Sequence, residues 1–177
     1  MIETEQTVTI RESIDNVWDF ARDIRGWAEL MPGMQECEVI DDDNSRWTLK
    51  VGVGGLVRTV RVKVQVDQWD GPQRVYFTYK LEGDPVQGGG SYYATSTGPR
   101  ETHVQLNVRV EGSGPMAPMW EAMGGPVLPR FARGFAEELK ARIEAQAGGA
   151  RAAGEAVVER PSVLARLLTW VKRPFGG

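Results

Sequence analysis

One long amphipathic helix near the end of the chain constrains the fold more than any other feature. Over residues 116–146 the apolar residues recur at intervals of three and four, which is the spacing of one helical face. Charged residues occupy the opposite face, so the helix needs a large apolar surface to cover. The predicted apolar face consists of Met116, Met119, Trp120, Met123, Val127, Phe131, Phe135, Leu139 and Ile143.

The two halves of that face differ in character. The second half carries Phe, Leu and Ile, whereas the first half carries three Met and one Trp and is followed by Gly124, Gly125 and Pro126. Methionine is flexible and adapts to varied shapes, and the Gly-Gly-Pro sequence is expected to break or kink the helix. Two interpretations follow: a core stripe with a kink, or a soft lid over an apolar cavity.

The preceding sequence predicts a sheet for this helix to cover. A first strand at residues 2–10 is followed by two short helices, one beginning after Ser13 and one at residues 24–31. Six segments with period-two alternation and short turns come next, at residues 36–41, 46–53, 57–69, 74–82, 91–97 and 101–112. This order predicts an α+β fold over residues 1–146, in which a curved antiparallel sheet of about seven strands grips the long helix around a hollow.

The hollow is expected to bind an apolar ligand, with all five methionines other than Met1 at its rim. Four sheet hydroxyls could bind a ligand's polar head or could belong to ordinary strand residues: those of Tyr79, Tyr92, Tyr93 and Thr95. The predicted ligand-binding residues are Trp27, Met31, Met34, Phe77, Tyr79, Tyr93, Met116, Met119, Trp120, Met123, Val127 and Phe131.

Several kinds of chemistry are not expected. The chain has one histidine, His103, at a predicted outward strand position, and one cysteine, Cys37, so neither a metal site nor a Ser-His-Asp arrangement is predicted. No catalytic residue is assigned, and no tightly bound cofactor is required. The net charge of −3 does not point to nucleic acid. One cysteine, no visible signal peptide and no apolar run of membrane-spanning length predict a cytoplasmic protein.

The C-terminal segment differs from the rest of the chain. Residues 147–160, rich in Ala, Gly and Glu, predict a flexible linker. Residues 161–177 predict a short basic amphipathic helix, which could lie on an anionic membrane surface or could dock on protein. Residues 160–177 carry four basic and no acidic side chains, which leaves −7 for the remainder. The predicted membrane-binding residues are Leu164, Arg166, Leu167, Leu168, Trp170, Val171, Lys172, Arg173 and Phe175.

Three local sequences accompany this order of elements. They are Pro32-Gly33-Met34 after the second helix, Val51-Gly52-Val53-Gly54 before the long valine-rich strand, and FARGFAEEL at residues 131–139. With them, residues 2–146 resemble the START-like (SRPBCC) helix-grip superfamily, and within it the G-type accessory subunits of aerobic carbon monoxide dehydrogenase. The resemblance implies that the hollow binds an apolar small molecule, that a quinone is carried, and that the dehydrogenase is tethered or supplied at the membrane. It supplies no catalytic motif.

Three functions are compatible with these patterns. The first is a non-enzymatic carrier of a lipid-like ligand such as a quinone, held peripherally at the inner face of the cell membrane and serving a redox enzyme. The second is an enzyme of the polyketide cyclase or dehydratase kind, which would need acid or base groups pointing into the hollow. The third is an assembly adaptor for a membrane-bound oxidoreductase, which a solid core without a cavity would favour.

Overall fold

A single antiparallel sheet forms most of the fold. The computed structural model describes residues 1–53 and 55–158, with side chains described for residues 1–52 and 55–149. The elements in chain order are β1 (Ile2–Ile10), α1 (Ile14–Ala21), α2 (Ile24–Leu30), β2 (Met34–Val39), β3 (Asn44–Val53), β4 (Leu56–Asp70), β5 (Arg74–Leu81), β6 (Val86–Gly98), β7 (Glu101–Gly112) and α3 (Ala117–Val158). The predicted α+β architecture, with a curved seven-stranded sheet and a long C-terminal helix, is confirmed.

The order of strands in the sheet explains how the first strand joins the rest. Strands β2 to β7 follow one another through hairpins, and β1 pairs with β7, which gives the order β1-β7-β6-β5-β4-β3-β2. Every neighbouring pair is antiparallel. The two short helices α1 and α2 therefore connect one edge of the sheet to the other.

Side-chain capping fixes where the two short helices begin. The Ser13 hydroxyl accepts a hydrogen bond from the Asn16 amide at 3.3 Å, and the Asp23 carboxylate accepts one from the Arg25 amide at 3.0 Å. Each cap satisfies an amide that has no partner within its helix. The start that the sequence predicts after Ser13 is confirmed.

The core lies between one face of the sheet and the helices. Ile10 of β1, Val17 of α1, Val104 of β7 and Leu139 of α3 are all 0% exposed and belong to one apolar cluster. On β7 the buried residues alternate along the strand, as the period-two pattern predicts. The part of α3 around Leu139 therefore closes over the sheet together with α1.

The long helix differs from its prediction in two respects. It is helical through Gly124, Gly125 and Pro126, where a break or kink was expected, and it continues over residues 147–158, where a flexible linker was expected. Alanine, the strongest helix former, is frequent in 147–158, and each glycine there costs only about 1 kcal/mol. A Cβ on Gly124 would lie 2.8 Å from the Ile2 Cδ1 atom, so this glycine lets α3 approach β1 closely.

The C-terminal part of the chain is only partly described. Contacts divide the chain into two units, Met1–Glu144 and Ala145–Gly177. The predicted basic amphipathic helix at residues 161–177, with its membrane-binding residues, lies outside the described residues. Among the helices of residues 1–158, none is both long enough and apolar enough to cross a membrane.

The buried contact of α3 with the sheet yields a stability prediction. Leu139→Ala should lower the free energy of unfolding by about 2–5 kcal/mol, because it removes a fully buried side chain and leaves a cavity. Glu137→Ala, two residues away on the exposed face, should change it by less than about 0.5 kcal/mol. Urea denaturation of both variants measures the difference, and equal losses would contradict this packing.

Candidate functional site

An apolar cavity of about 290 Å³ lies between the inner face of the sheet and the helices. Its wall comes from strands β3 to β7, from α1 and α2, and from residues 128–135 of α3. The α3 contribution is Leu128, Phe131, Ala132 and Phe135, one helical face at intervals of three and four. None of the described residues in this wall is charged. The cavity is therefore suited to an uncharged, apolar molecule.

Trp27 of α2 connects the three sides of the cavity. Its indole ring packs edge-on against Tyr92 of β6, with ring centroids 5.7 Å apart, and stacks on Phe135 of α3 at 5.4 Å. Its Nε1 donates a hydrogen bond to the Ala21 carbonyl at 2.6 Å. Each aromatic pair adds about 0.5–1.5 kcal/mol beyond burial of its area. This tryptophan is therefore held rigidly between the sheet and the closing helix.

Two glycines of β6 make room for the aromatic rings of β5. A Cβ on Gly88 would lie 2.5 Å from the Tyr79 ring, and a Cβ on Gly90 would lie 2.6 Å from the Phe77 ring. The Tyr79 hydroxyl reaches across β6 to donate a hydrogen bond to the Arg109 carbonyl at 2.8 Å. Glycines in a strand interior often mark such close approaches. The sequence predicts residues 88–90 as a lead into a strand at 91–97, but they lie inside β6.

The hydroxyl groups of the wall differ in their hydrogen bonding. The Tyr79 hydroxyl is paired as described, and the Ser45 hydroxyl accepts a hydrogen bond from Trp47 Nε1 at 2.9 Å. The Tyr92 hydroxyl is buried and has no hydrogen-bond partner among the described residues. Burial raises the pKa of both Tyr79 and Tyr92 above that of an ordinary phenol. Both side chains therefore stay neutral at physiological pH and can donate hydrogen bonds.

Five predicted ligand-binding residues line the cavity: Trp27, Met31, Phe77, Tyr79 and Phe131. Three others are half-buried but are not part of the lining. Met34 begins β2, and Tyr93 lies on the outer face of β6, where its hydroxyl bonds to that of Tyr76. Trp120 packs beside Gly112 at the start of α3.

The methionine-bearing part of α3 does not line the cavity. Met116, Met119, Met123 and Val127 are between 39% and 48% exposed and do not line the cavity. The face that turns inward carries Trp120, Gly124 and Leu128, one position further along, which corresponds to a rotation of about 100°. Gly124 lies on that face and approaches β1 closely. Apolar periodicity does not indicate this face, because glycine has no side chain.

The polar candidates lie away from the cavity. His103 is half-buried on the outer face of β7, between Thr9 and Thr95 of the adjacent strands. Cys37 is half-buried on β2, and burial raises the pKa of its thiol. Within residues 1–158, no group of three or more His, Cys, Asp or Glu side chains is arranged to hold a metal ion.

A second and larger depression, of about 430 Å³, lies on the outer face of the sheet. Its wall includes Lys63, Lys80 and Arg109 together with Glu111. These charged groups are strongly hydrated, and an apolar molecule placed among them would compete with water for them. The smaller inner cavity is therefore the better candidate for the functional site.

Comparison with known proteins supports the interpretation of the fold. Residues 1–144 match the sequence model of the protein family described as polyketide cyclase/dehydrase and lipid transport. No curated protein matches the chain.

Solved structures with the same fold share little sequence with this chain. A conserved protein from Geobacillus kaustophilus superposes with a TM-score of 0.70 at 18% identity, covering 80% of this chain and 95% of its own. A START superfamily protein from Mycobacterium smegmatis gives 0.61 at 16% identity, covering 81% and 98%. The Zhui aromatase/cyclase from a Streptomyces species gives 0.59 at 18% identity, covering 82% and 95%. At these identities the likeness shows the START-like fold alone.

The glycine contacts yield a prediction about the shape of the site. Gly88→Ala should destabilise the protein by about 1–3 kcal/mol, because the added methyl group collides with Tyr79 and with the neighbouring strand. Gly98→Ala, at the end of the same strand, should have little effect, since its Cβ would meet nothing closer than 3.7 Å. Thermal unfolding of both variants measures the effect. A Gly88→Ala variant as stable as Gly98→Ala would contradict the close packing of Tyr79.

Proposed function

Because the chain belongs to the polyketide cyclase/dehydrase and lipid transport family, we propose that it is a non-enzymatic carrier that holds a lipid-like ligand in its inner cavity. The observation that carries this proposal is the cavity wall, which is built mainly from apolar and aromatic side chains and includes no charged one among the described residues. A wall of this kind stabilises apolar surface by about 0.8 kcal/mol for each methylene removed from water.

The size of the cavity limits what it can enclose. Its volume of about 290 Å³ lies just below the roughly 300–1,000 Å³ that ligand sites occupy. A ring system or a short chain fits that space, whereas a long isoprenoid chain would extend out of it. The ligand is therefore held by its ring or by one end.

An entrance is proposed between the β3–β4 hairpin and α3. Val51 both lines the cavity and is 36% exposed, and Leu56 and Val57, which follow in the same hairpin, are more than 70% exposed. On the other side, exposed Val127 directly precedes cavity-lining Leu128. Exposed apolar side chains at the edge of a cavity are suited to contact with a membrane, from which a lipid could pass without crossing water.

The finer proposal is that the ligand is a quinone and that the protein serves a redox enzyme of the carbon monoxide dehydrogenase type. The sequence resemblance to the G-type accessory subunits of that enzyme supports it, as does the fit of a planar ring to a wall containing Trp27, Phe77 and Phe131. The basic segment at residues 161–177 would hold the protein at the inner face of the cell membrane, at about 1 kcal/mol per basic side chain.

The two alternatives make different demands on the cavity. A cyclase-like enzyme is favoured by the fold shared with the aromatase/cyclase and by the Tyr92 hydroxyl in the wall. Such an enzyme needs groups that exchange protons near neutral pH, whereas burial moves the pKa of Tyr92 away from that range. An adaptor has no need of a cavity, so the cavity favours a carrier over this alternative.

Extraction of the purified protein with organic solvent, followed by mass spectrometry, tests the carrier function. The wild type should release a lipid or quinone. Ala132→Phe should release far less, because the larger side chain occupies the cavity, while Ala122→Phe on the exposed face of the same helix should behave as the wild type. No bound lipid in the wild type, together with no binding of added quinone, would count against a carrier.

Co-sedimentation with anionic liposomes tests the membrane contact. Replacing Arg166, Lys172 and Arg173 by Gln should weaken binding by about 3 kcal/mol, or roughly a hundredfold. Replacing Arg100, Arg130 and Arg133, three exposed cations elsewhere, removes the same net charge and should weaken it much less. Equal losses from both triple variants would show that general charge, and not the C-terminal segment, determines membrane binding.

A further inference from the structure

We propose that Tyr92 selects the ligand by donating a hydrogen bond from its phenol hydroxyl to an acceptor oxygen, such as a ketone or quinone carbonyl, on an otherwise apolar molecule. The inference rests on the proposed function, because it requires a ligand in the inner cavity, and it names the residue and the chemical group that would determine which ligand is held.

The position of Tyr92 brings it to the middle of the cavity wall. It lies in β6 between Val75 of β5 and Leu106 of β7, and all three side chains line the cavity. The edge-on contact with Trp27 holds its ring from the helix side. The residue is 1% exposed, so bulk water does not form hydrogen bonds with its hydroxyl.

The hydroxyl of Tyr92 is in an unfavourable state without a ligand. It finds no partner among the described residues, and a buried hydroxyl without a partner destabilises the folded protein. A phenylalanine at position 92 would fill the same space without that cost. The neighbouring strand has such a residue, Phe77, in the cavity wall. Tyr79 and Ser45 show that other hydroxyls of this wall are paired within the protein. An acceptor atom on the ligand would satisfy the buried hydroxyl of Tyr92.

The surroundings of the hydroxyl define the class of acceptor. The lining offers no cation among its described residues to neutralise a carboxylate or phosphate, and burying an unpaired charge is far more costly than burying a carbonyl. Fatty acids in their ionised form are thus disfavoured. A pure hydrocarbon would leave the hydroxyl unpaired. The expected ligand is uncharged and has a carbonyl or ether oxygen near Tyr92.

A pair of probes and a pair of variants test this inference. The probes are menadione and 2-methylnaphthalene, which share an apolar skeleton and differ in the two carbonyl groups. The variants are Tyr92→Phe and the matched control Tyr79→Phe, whose lost hydroxyl is bonded to a backbone carbonyl. Isothermal titration calorimetry on the full chain gives the affinities. Tyr92→Phe should weaken menadione binding about tenfold and leave 2-methylnaphthalene unchanged, whereas Tyr79→Phe should not discriminate between the probes.

Two further readouts distinguish ligand recognition from structural damage. The carbonyl stretching frequency of bound menadione should be lower in the wild type than in Tyr92→Phe, because the hydrogen bond weakens the C=O bond. Without ligand, Tyr92→Phe should be at least as stable as the wild type, while Tyr79→Phe should be less stable. A stability loss in Tyr92→Phe equal to that in Tyr79→Phe would show that the protein itself pairs the hydroxyl, and would overturn the inference.

The outcomes separate this inference from the function on which it rests. If both probes bind the wild type and Tyr92→Phe weakens neither or weakens both equally, Tyr92 does not select the ligand, and the carrier function stands. If neither probe binds the wild type, the carrier function fails first.

Discussion

The contact of Trp27 with Tyr92 and Phe135 is the interaction on which the cavity depends. One indole ring separates the sheet from the closing helix, and its hydrogen bond to the Ala21 carbonyl prevents it from turning away. A curved sheet of seven strands presents more apolar surface than one helix can cover. The surface left over, on strands β3 to β7, becomes the cavity wall instead of packed core.

Two kinds of residue then shape that space. Large aromatic residues form its wall, and glycines on β6 allow the rings of Phe77 and Tyr79 to lie against the sheet, which keeps them from filling the cavity. The result is an enclosure with a mainly apolar lining and, at Tyr92, a buried hydroxyl that has no partner among the described residues. Binding of an uncharged, lipid-like molecule follows from the lining, and selection among such molecules follows from the hydroxyl.

Much of this architecture can be predicted from the sequence, because strand alternation and helical periodicity are local signals. The bounds of β1 and the start of α1 after Ser13 agree with the pattern. The orientation of the first turns of α3 does not, because the pattern predicts that Met119 and Met123 face the sheet, whereas close packing against β1 selects the face with Gly124. The need for glycine at positions 88 and 90 also cannot be predicted from the local sequence, since it depends on the aromatic rings of the neighbouring strand β5. Tyr92 is one of four candidate hydroxyls in the sequence, and its burial and its unpaired hydroxyl, which distinguish it, are visible only in the structure.

The central claim is that the space beside Trp27 is occupied by an apolar ligand in the working protein. A crystal structure of the full chain, purified without detergent or added lipid and then soaked with menadione, tests it most directly. Electron density for a ring is expected in the space bounded by Trp27, Phe77 and Leu128, with an oxygen near the Tyr92 hydroxyl. Side chains that close this space completely, or ordered water throughout it after soaking, would contradict the account.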